Sequence, residues 1–115
     1  PHPLVGTQTA SIAVSPEAFA EEIAPSRTFG FLEWAEELRA RGLALGASTE
    51  NTVIIAPEGF LSPLRYADEF VRHKILDLLG DLALLGRPLR GMVVAIRAGH
   101  RQHVALARRL REATA

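Results

Sequence analysis

The segment from Asp68 to Leu85 has the strongest helical periodicity in the chain, and it constrains the fold more than any other feature. Its apolar side chains recur at intervals of three and four residues, and Gly86 and Pro88 follow where a helix would end. A helix with so broad an apolar surface is stable only when it packs against other elements, so the chain must form a core. The apolar positions are Phe70, Val71, Ile75, Leu78, Leu79 and Leu82.

Shorter patterns on either side of this helix predict the other elements. β-branched or alternating residues indicate strands, and a Ser-Pro-Glu sequence indicates a helix start with Ser15 as the N-cap. The resulting order β-α-α-β-α-β-α predicts an α+β fold, a two-layer sandwich with helices packed on one face of a small mixed or antiparallel sheet. The predicted strands are 9–14, 52–55 and 92–96, the predicted helices begin at Pro16, Phe31 and Arg101, and 25–30 is a predicted loop.

Composition excludes several classes of protein. With 48% hydrophobic and 23% charged residues the chain is not disordered, and no apolar run approaches the ~18 residues of a membrane helix. The lack of cysteine excludes disulfides and thiolate zinc sites and fits a reducing compartment such as the cytoplasm. One Trp, one Tyr and five Phe make no stacking platform, so we expect no nucleic-acid partner. Because the chain begins at Pro1 and its only methionine is Met92, we expect it to belong to a longer protein.

The net charge of zero conceals an uneven distribution along the chain. Residues 1–60 carry three basic and eight acidic residues, whereas residues 61–115 carry ten basic and five acidic residues. Such a division can indicate an anion-binding site in the second part. The alternative, which the charge distribution by itself favours, is electrostatic attraction between the two parts.

A polar stripe runs along the long predicted helix. His73, Asp77 and Asp81 are spaced four residues apart, which places them on one face. His and Asp at i and i+4 can bind one metal ion, and without cysteine such nitrogen and oxygen ligands suit zinc. The alternative is a surface stripe with an ion pair. Lys74 is the only lysine and is a candidate for binding a phosphate or carboxylate.

Two further segments contain candidate site residues. His100 follows a predicted strand in a loop, which is a common place for an acid–base residue, although a histidine bonded to the backbone is the alternative. We expect His103 to face solvent. Thr28 stands before Phe29 and Phe31 in another predicted loop, which is either part of a site or a loop anchored by buried aromatics.

Several motifs taken together match one known family. They are Arg27-Thr28-Phe29-Gly30-Phe31-Leu32, Arg41-Gly42-Leu43-Ala44-Leu45-Gly46, the long stretch 64–82, Gly86-Arg87-Pro88, Gly91, Gly99-His100 and His2-Pro3. Over almost all 115 residues the chain resembles the second domain of the UDP-3-O-acyl-N-acetylglucosamine deacetylases, the LpxC family. The resemblance implies a zinc amidohydrolase of bacterial lipid A biosynthesis. Such an enzyme removes the N-acetyl group of UDP-3-O-(3-hydroxyacyl)-N-acetylglucosamine in the cytoplasm, with possible peripheral contact with the inner membrane.

The resemblance also implies a role for individual residues. His73 and Asp77 would bind zinc, and His100 would be the general acid that protonates the leaving amine. Asp81 would hold or polarise His100, and the hydroxyl of Thr28 would hydrogen-bond the oxyanion. Each role fits the chemistry of its residue type.

The same resemblance implies which residues bind the two ends of the substrate and which parts of the family's enzyme are not in this sequence. Lys74 and Arg97 would bind the diphosphate-bearing part, and Phe29 with the segment 28–56 would line the passage for the acyl chain. The family's N-terminal domain, which supplies a third zinc ligand and the general base, is not part of this sequence, nor are the opening strands of the second domain. We therefore expect residues 1–115 alone to bind zinc weakly and to lack turnover. The alternative is a non-catalytic domain that binds a nucleotide sugar or acyl chain.

Overall fold

A computed structural model describes residues 3–114 of the chain. The chain divides into two compact units, residues 1–73 and residues 74–115, which are described in turn. The predicted α+β class is confirmed by the helices and the mixed sheet. The helices are α1 (Pro16–Ala18), which continues as a π-helical turn (Phe19–Ile23), α2 (Leu32–Ala40), α3 (Glu69–Ala83) and α4 (His100–Ala113), and the strands are β1 (Thr28–Phe31), β2 (Thr52–Ala56) and β3 (Gly59–Phe60).

The sheet of the first unit is built around β2. This strand pairs in parallel with β1, from Thr28 opposite Thr52, and antiparallel with β3, where Ala56 lies opposite Gly59. The strand predicted at 52–55 is confirmed as β2, and Gly59 after it adopts φ +140°, a conformation that a side chain would strain. The loop predicted at 25–30 is wrong from Thr28 onward, because those residues find a pairing partner far along the sequence.

The core of the first unit lies between this sheet and the first turn of α3. Val53, Ile55 and Phe70 are buried, and Phe29 packs partly exposed against them. The ring of Phe70 meets that of Phe29 edge-on at 4.9 Å between centroids. Such aromatic pairs stabilise a small core beyond the area that they bury.

The segment that leads into α1 differs in part from the sequence prediction. The strand predicted at 9–14 is wrong, since these residues carry no strand pairing in the structure. Alternating residues favour an extended backbone, but a strand also needs a neighbour for its N–H and C=O groups. The predicted helix start is confirmed, because Ser15 Oγ accepts a hydrogen bond of 3.1 Å from Ala18 N.

The second unit consists of the later part of α3, a long connection and α4. α3 ends at Ala83, and Gly86 follows with φ +73°, in agreement with the predicted stop. The strand predicted at 92–96 is wrong: no strand is present in 74–114, and Met92 and Ile96 are 91% and 80% exposed. β-branched residues gave this segment strand propensity, but residues 74–114 contain no strand with which it could pair.

Candidate functional site

The entrance to β1 is held by a buried ion pair. Both the backbone N–H and the Nε–H of Arg27 donate to Glu69 Oε2 at 2.8 Å, and Arg27 Nη2 donates to Oε1 at 3.1 Å. Arg65 N donates to the same Oε1 at 2.8 Å, so that both oxygens of this fully buried carboxylate have partners. Burial would raise the pKa of Glu69, but the hydrogen bonds from Arg27 and Arg65 outweigh it, and the pKa lies below its ordinary value.

The guanidinium of Arg27 also reaches two backbone carbonyl groups. Its Nη1 donates to Thr49 O at 3.0 Å and its Nη2 to Pro63 O at 2.9 Å. The pair therefore joins the residue before Thr28 to the first turn of α3, one helical turn before His73. This pair could not be predicted from the sequence, because residues 42 positions apart leave no local pattern.

Thr28 and Phe29 follow directly from this ion pair. Thr28 begins β1 and is exposed, opposite Thr52 in the sheet register. Phe29 is half-buried and belongs to the packing around Phe70. The structure thus gives Phe29 a place in the core, and a role in lining an acyl passage stays a prediction.

His73 lies partly buried on α3 with its ring oriented by the backbone. Its Nδ1 is 3.0 Å from the carbonyl oxygen of Ser26. Because a carbonyl oxygen only accepts, this nitrogen carries the proton, and the lone pair of the neutral ring is on Nε2. Metal-binding histidines are commonly oriented in this way by a backbone carbonyl group. Asp77 follows one turn later on the same helix and is also partly buried.

A carboxylate and two imidazoles form a cluster in the second unit, which we call the Asp81 cluster (Asp81, His100 and His103). Asp81 Oδ2 lies 2.6 Å from His100 Nδ1 and 2.9 Å from His103 Nδ1. The Nε2 atom of His100 is 3.9 Å from Asp77 Oδ2. The side chain of His100 is 68% exposed, that of Asp81 16%, and that of His103 4%.

The start of α4 brings both histidines to this carboxylate. Gln102 Oε1 accepts a hydrogen bond of 3.1 Å from Gly99 N, which caps the helix just before His100. The expectation that His103 faces solvent is wrong. One turn before the buried Ala107, it lies at the edge of the apolar face of α4 and is directed toward Asp81. The spacing of four residues between His103 and Ala107 was the sequence signal that could have revealed the burial of His103.

Opposing effects act on the pKa of Asp81 in this cluster. Burial would raise the pKa of Asp81, but the hydrogen bonds and charges of His100 and His103 together lower it below its ordinary value. Within the described residues 3–114, these three side chains also have ligand atoms within 4.8 Å of one another, close enough to hold a metal ion. In the present arrangement both Nδ1 atoms are directed at one carboxylate oxygen, which is a hydrogen-bonded geometry.

The two predicted substrate-binding cations lie at different positions of the second unit. Lys74 is exposed on α3, and Arg97 is exposed in the connection before α4, where it adopts φ +53°. Among residues 3–114, no helix combines the length and apolar character that a membrane crossing needs.

Comparison with known proteins agrees with these motifs. The sequence model of the family described as LpxC, UDP-3-O-acyl N-acetylglycosamine deacetylase, matches residues 1–112. A protein named UDP-3-O-acyl-N-acetylglucosamine deacetylase from Syntrophotalea carbinolica is 54% identical over 101 residues, covering 86% of this chain and 33% of its own length. Proteins of the same name from Leptospira biflexa and Nitratidesulfovibrio vulgaris are each 48% identical, over 93% and 97% of this chain and over 36% and 37% of their own lengths.

The match extends over nearly the whole of this chain but over only part of its relatives. The chain spans about a third of the length of each of these three relatives. The family match includes both the ion pair of Arg27 and Glu69 and the Asp81 cluster. This chain therefore belongs to the family of UDP-3-O-acyl-N-acetylglucosamine deacetylases.

Proposed function

We propose that residues 1–115 are the second, C-terminal domain of a zinc-dependent deacetylase of the bacterial cytoplasm. Its substrate is UDP-3-O-(3-hydroxyacyl)-N-acetylglucosamine, from which it releases acetate and the free amine in lipid A biosynthesis. The observation that carries the proposal is the hydrogen bond between Asp81 and His100, which pairs a carboxylate with a largely exposed imidazole. It occurs in a chain that is about half identical to proteins named for this activity.

The residues proposed to hold zinc fit that metal chemically. His73 and Asp77 offer an imidazole nitrogen and a carboxylate oxygen one turn apart on α3. The bond from His73 Nδ1 to Ser26 O supports Nε2 as the ligand atom. When bound, zinc polarises the amide carbonyl and lowers the pKa of water. Since a catalytic zinc site has about three protein ligands, the third ligand and the general base come from the N-terminal domain in this proposal.

His100 is the proposed general acid. Its Nδ1 atom is occupied by Asp81, so its Nε2 atom is the one that can pass a proton to the departing amine nitrogen as the C–N bond breaks. The protonated imidazole that this step requires donates its Nδ1–H to the Asp81 carboxylate. The exposure of the His100 side chain leaves it accessible to a substrate.

Four more residues complete the proposed roles. The Thr28 hydroxyl donates a hydrogen bond to the oxyanion of the tetrahedral intermediate. Lys74 and Arg97, both exposed, bind the diphosphate of the substrate. Phe29 and the segment 28–56 line the acyl-chain passage, where each buried CH₂ contributes about 0.8 kcal/mol. The acyl chain would also bring the enzyme into peripheral contact with the inner membrane.

The test uses a hybrid enzyme in which this chain replaces the matching third of the Syntrophotalea carbinolica deacetylase. We expect His100→Ala to lower kcat by about 10²- to 10⁴-fold with zinc content unchanged, because it removes proton transfer and not a ligand. His73→Ala should lose zinc. Deacetylation assays and metal analysis measure both effects.

Arg101→Ala, an exposed change in the same helical turn as His100, is the matched control and should retain activity. If His100→Ala and His73→Ala both kept the activity of the parent, the assigned roles would be wrong. The 115-residue chain by itself should show no turnover, and measurable deacetylation by it would contradict the two-domain assignment.

A further inference from the structure

We propose that His103 is a positioning residue for the pair of Asp81 and His100. Its buried imidazole donates a second hydrogen bond to Asp81 Oδ2, and this bond keeps the oxygen directed at His100. The meaning of this pair for catalysis rests on the proposed function. The orientation of the carboxylate is a separate property that can be measured without turnover.

The hydrogen-bond chemistry of the cluster defines which atoms carry protons. An ionised carboxylate only accepts hydrogen bonds, so the Nδ1 atoms of both His100 and His103 must donate. Both bonds end on the same oxygen, Oδ2 of Asp81. Rotation of the carboxylate about its Cβ–Cγ bond would therefore break both hydrogen bonds at once. Two hydrogen bonds hold the carboxylate in this orientation more firmly than one hydrogen bond would.

The two histidines differ sharply in exposure. The His100 side chain is 68% exposed, so water competes for its bond to Asp81. The side chain of His103 is 4% exposed, and water cannot easily replace it. The buried donor is thus the one that can hold the carboxylate still while the exposed imidazole moves a proton.

The position of His103 in α4 makes this arrangement possible. It follows His100 by three residues, so both rings project from the first turn of the helix toward one carboxylate on α3. Their planes meet edge-on at 77°, with centroids 6.2 Å apart. The burial of His103 beside the apolar side of α4 fixes its ring, and the ring in turn fixes Asp81.

Two substitutions separate a donor from a merely space-filling side chain. His103→Leu fills the buried space with an apolar side chain that has no hydrogen-bond donor. His103→Asn instead places an amide N–H where Nδ1 lies. In the hybrid enzyme we expect His103→Leu to lower kcat by about 10- to 100-fold through misplacement of the pair, with KM nearly unchanged. His103→Asn should restore most of the loss. Arg101→Asn, an exposed change in the same turn, is the matched control.

A second readout follows the orientation directly. In protein labelled with ¹⁵N-histidine, the Nδ1 proton of His100 should be visible by NMR in the parent and in His103→Asn. In His103→Leu it should be lost to exchange with water. This signal does not depend on turnover, so an inactive parent hybrid would contradict the proposed function and leave this test intact.

Three results would overturn the proposal. They are equal kcat in the Leu and Asn variants, retention of the His100 Nδ1 proton signal in His103→Leu, and a parent in which His103 Nδ1 carries no proton. If His103→Leu does not fold, His103→Gln replaces it, since its amide lies one bond farther along the side chain and misses Oδ2. Equal effects of Gln and Asn would then also contradict the proposal.

Discussion

Two of the carboxylates on helix α3, Glu69 and Asp81, both accept hydrogen bonds from nitrogen donors but differ in their partners and in their exposure. Glu69, in the first turn, is fully buried and accepts from Arg27 and Arg65. Asp81, near the end, is partly exposed and accepts from two imidazoles. Both have a pKa below the ordinary value, since in each case the donors outweigh the effect of burial, which would raise it. A lowered pKa therefore does not distinguish a structural carboxylate from a reactive one.

The hydrogen-bond partners of Glu69 and Asp81 distinguish the structural carboxylate from the reactive one. The guanidinium of Arg27 cannot release its proton in a protein, so its pair with Glu69 can only hold chain segments together. An imidazole exchanges its proton near neutral pH, and His100 is exposed enough to meet a substrate. A buried carboxylate paired with arginine stabilises the fold, and a carboxylate paired with an exposed histidine can take part in chemistry.

The largest expected effect is on the buried ion pair. Glu69→Gln removes the charge that compensates the buried Arg27, and we expect it to lower the free energy of unfolding by about 3–5 kcal/mol. Urea unfolding followed by circular dichroism measures this. Glu37→Gln is the matched control, since the exposed pair of Glu37 and Arg41 should contribute only about 0.5 kcal/mol. Similar losses in the two variants would remove the distinction between a buried and a surface pair.

A smaller loss of stability is expected at the second carboxylate. Asp81→Asn retains one oxygen acceptor but removes the charge, and we expect it to lower the free energy of unfolding by about 1–3 kcal/mol. In the hybrid enzyme the same change should reduce kcat strongly, because it removes the negative charge beside His100, the general acid in our proposal. A loss of stability larger than that of Glu69→Gln, with kcat unchanged, would reverse the comparison.

The smallest expected effect is the loss of folding stability at acidic pH. Because the pKa of Glu69 in the folded state lies below its ordinary value of 4.5, its ionised form stabilises the fold above that value. This contribution is lost as the pH falls through the folded-state pKa, at a rate of at most about 1.4 kcal/mol per pH unit for each carboxylate. Urea unfolding between pH 5 and pH 3 should show this decline, and Glu69→Gln should flatten it. An unchanged slope in that variant would contradict the assignment.

Some elements could be predicted from the sequence because their signals are local. The β-branched run of β2, the hydroxyl cap at Ser15 and the periodicity of α3 all act within a few residues. Local signals do not report pairing between strands, so β1 was missed and a strand at 92–96 was wrongly predicted. Strand formation depends on a pairing partner, and the partner of β1 lies at Thr52–Ile55, far along the sequence.

The candidate site likewise has some features that the sequence predicts and others that only the tertiary structure decides. The spacing of His73, Asp77 and Asp81 on one helix is a property of the sequence alone, because α-helical geometry repeats every 3.6 residues. The bond from His73 to Ser26, the pair of Arg27 and Glu69, and the burial of His103 were decided by tertiary structure. Each of these joins residues far apart along the chain, and only folding shows which donor meets which acceptor once water is excluded.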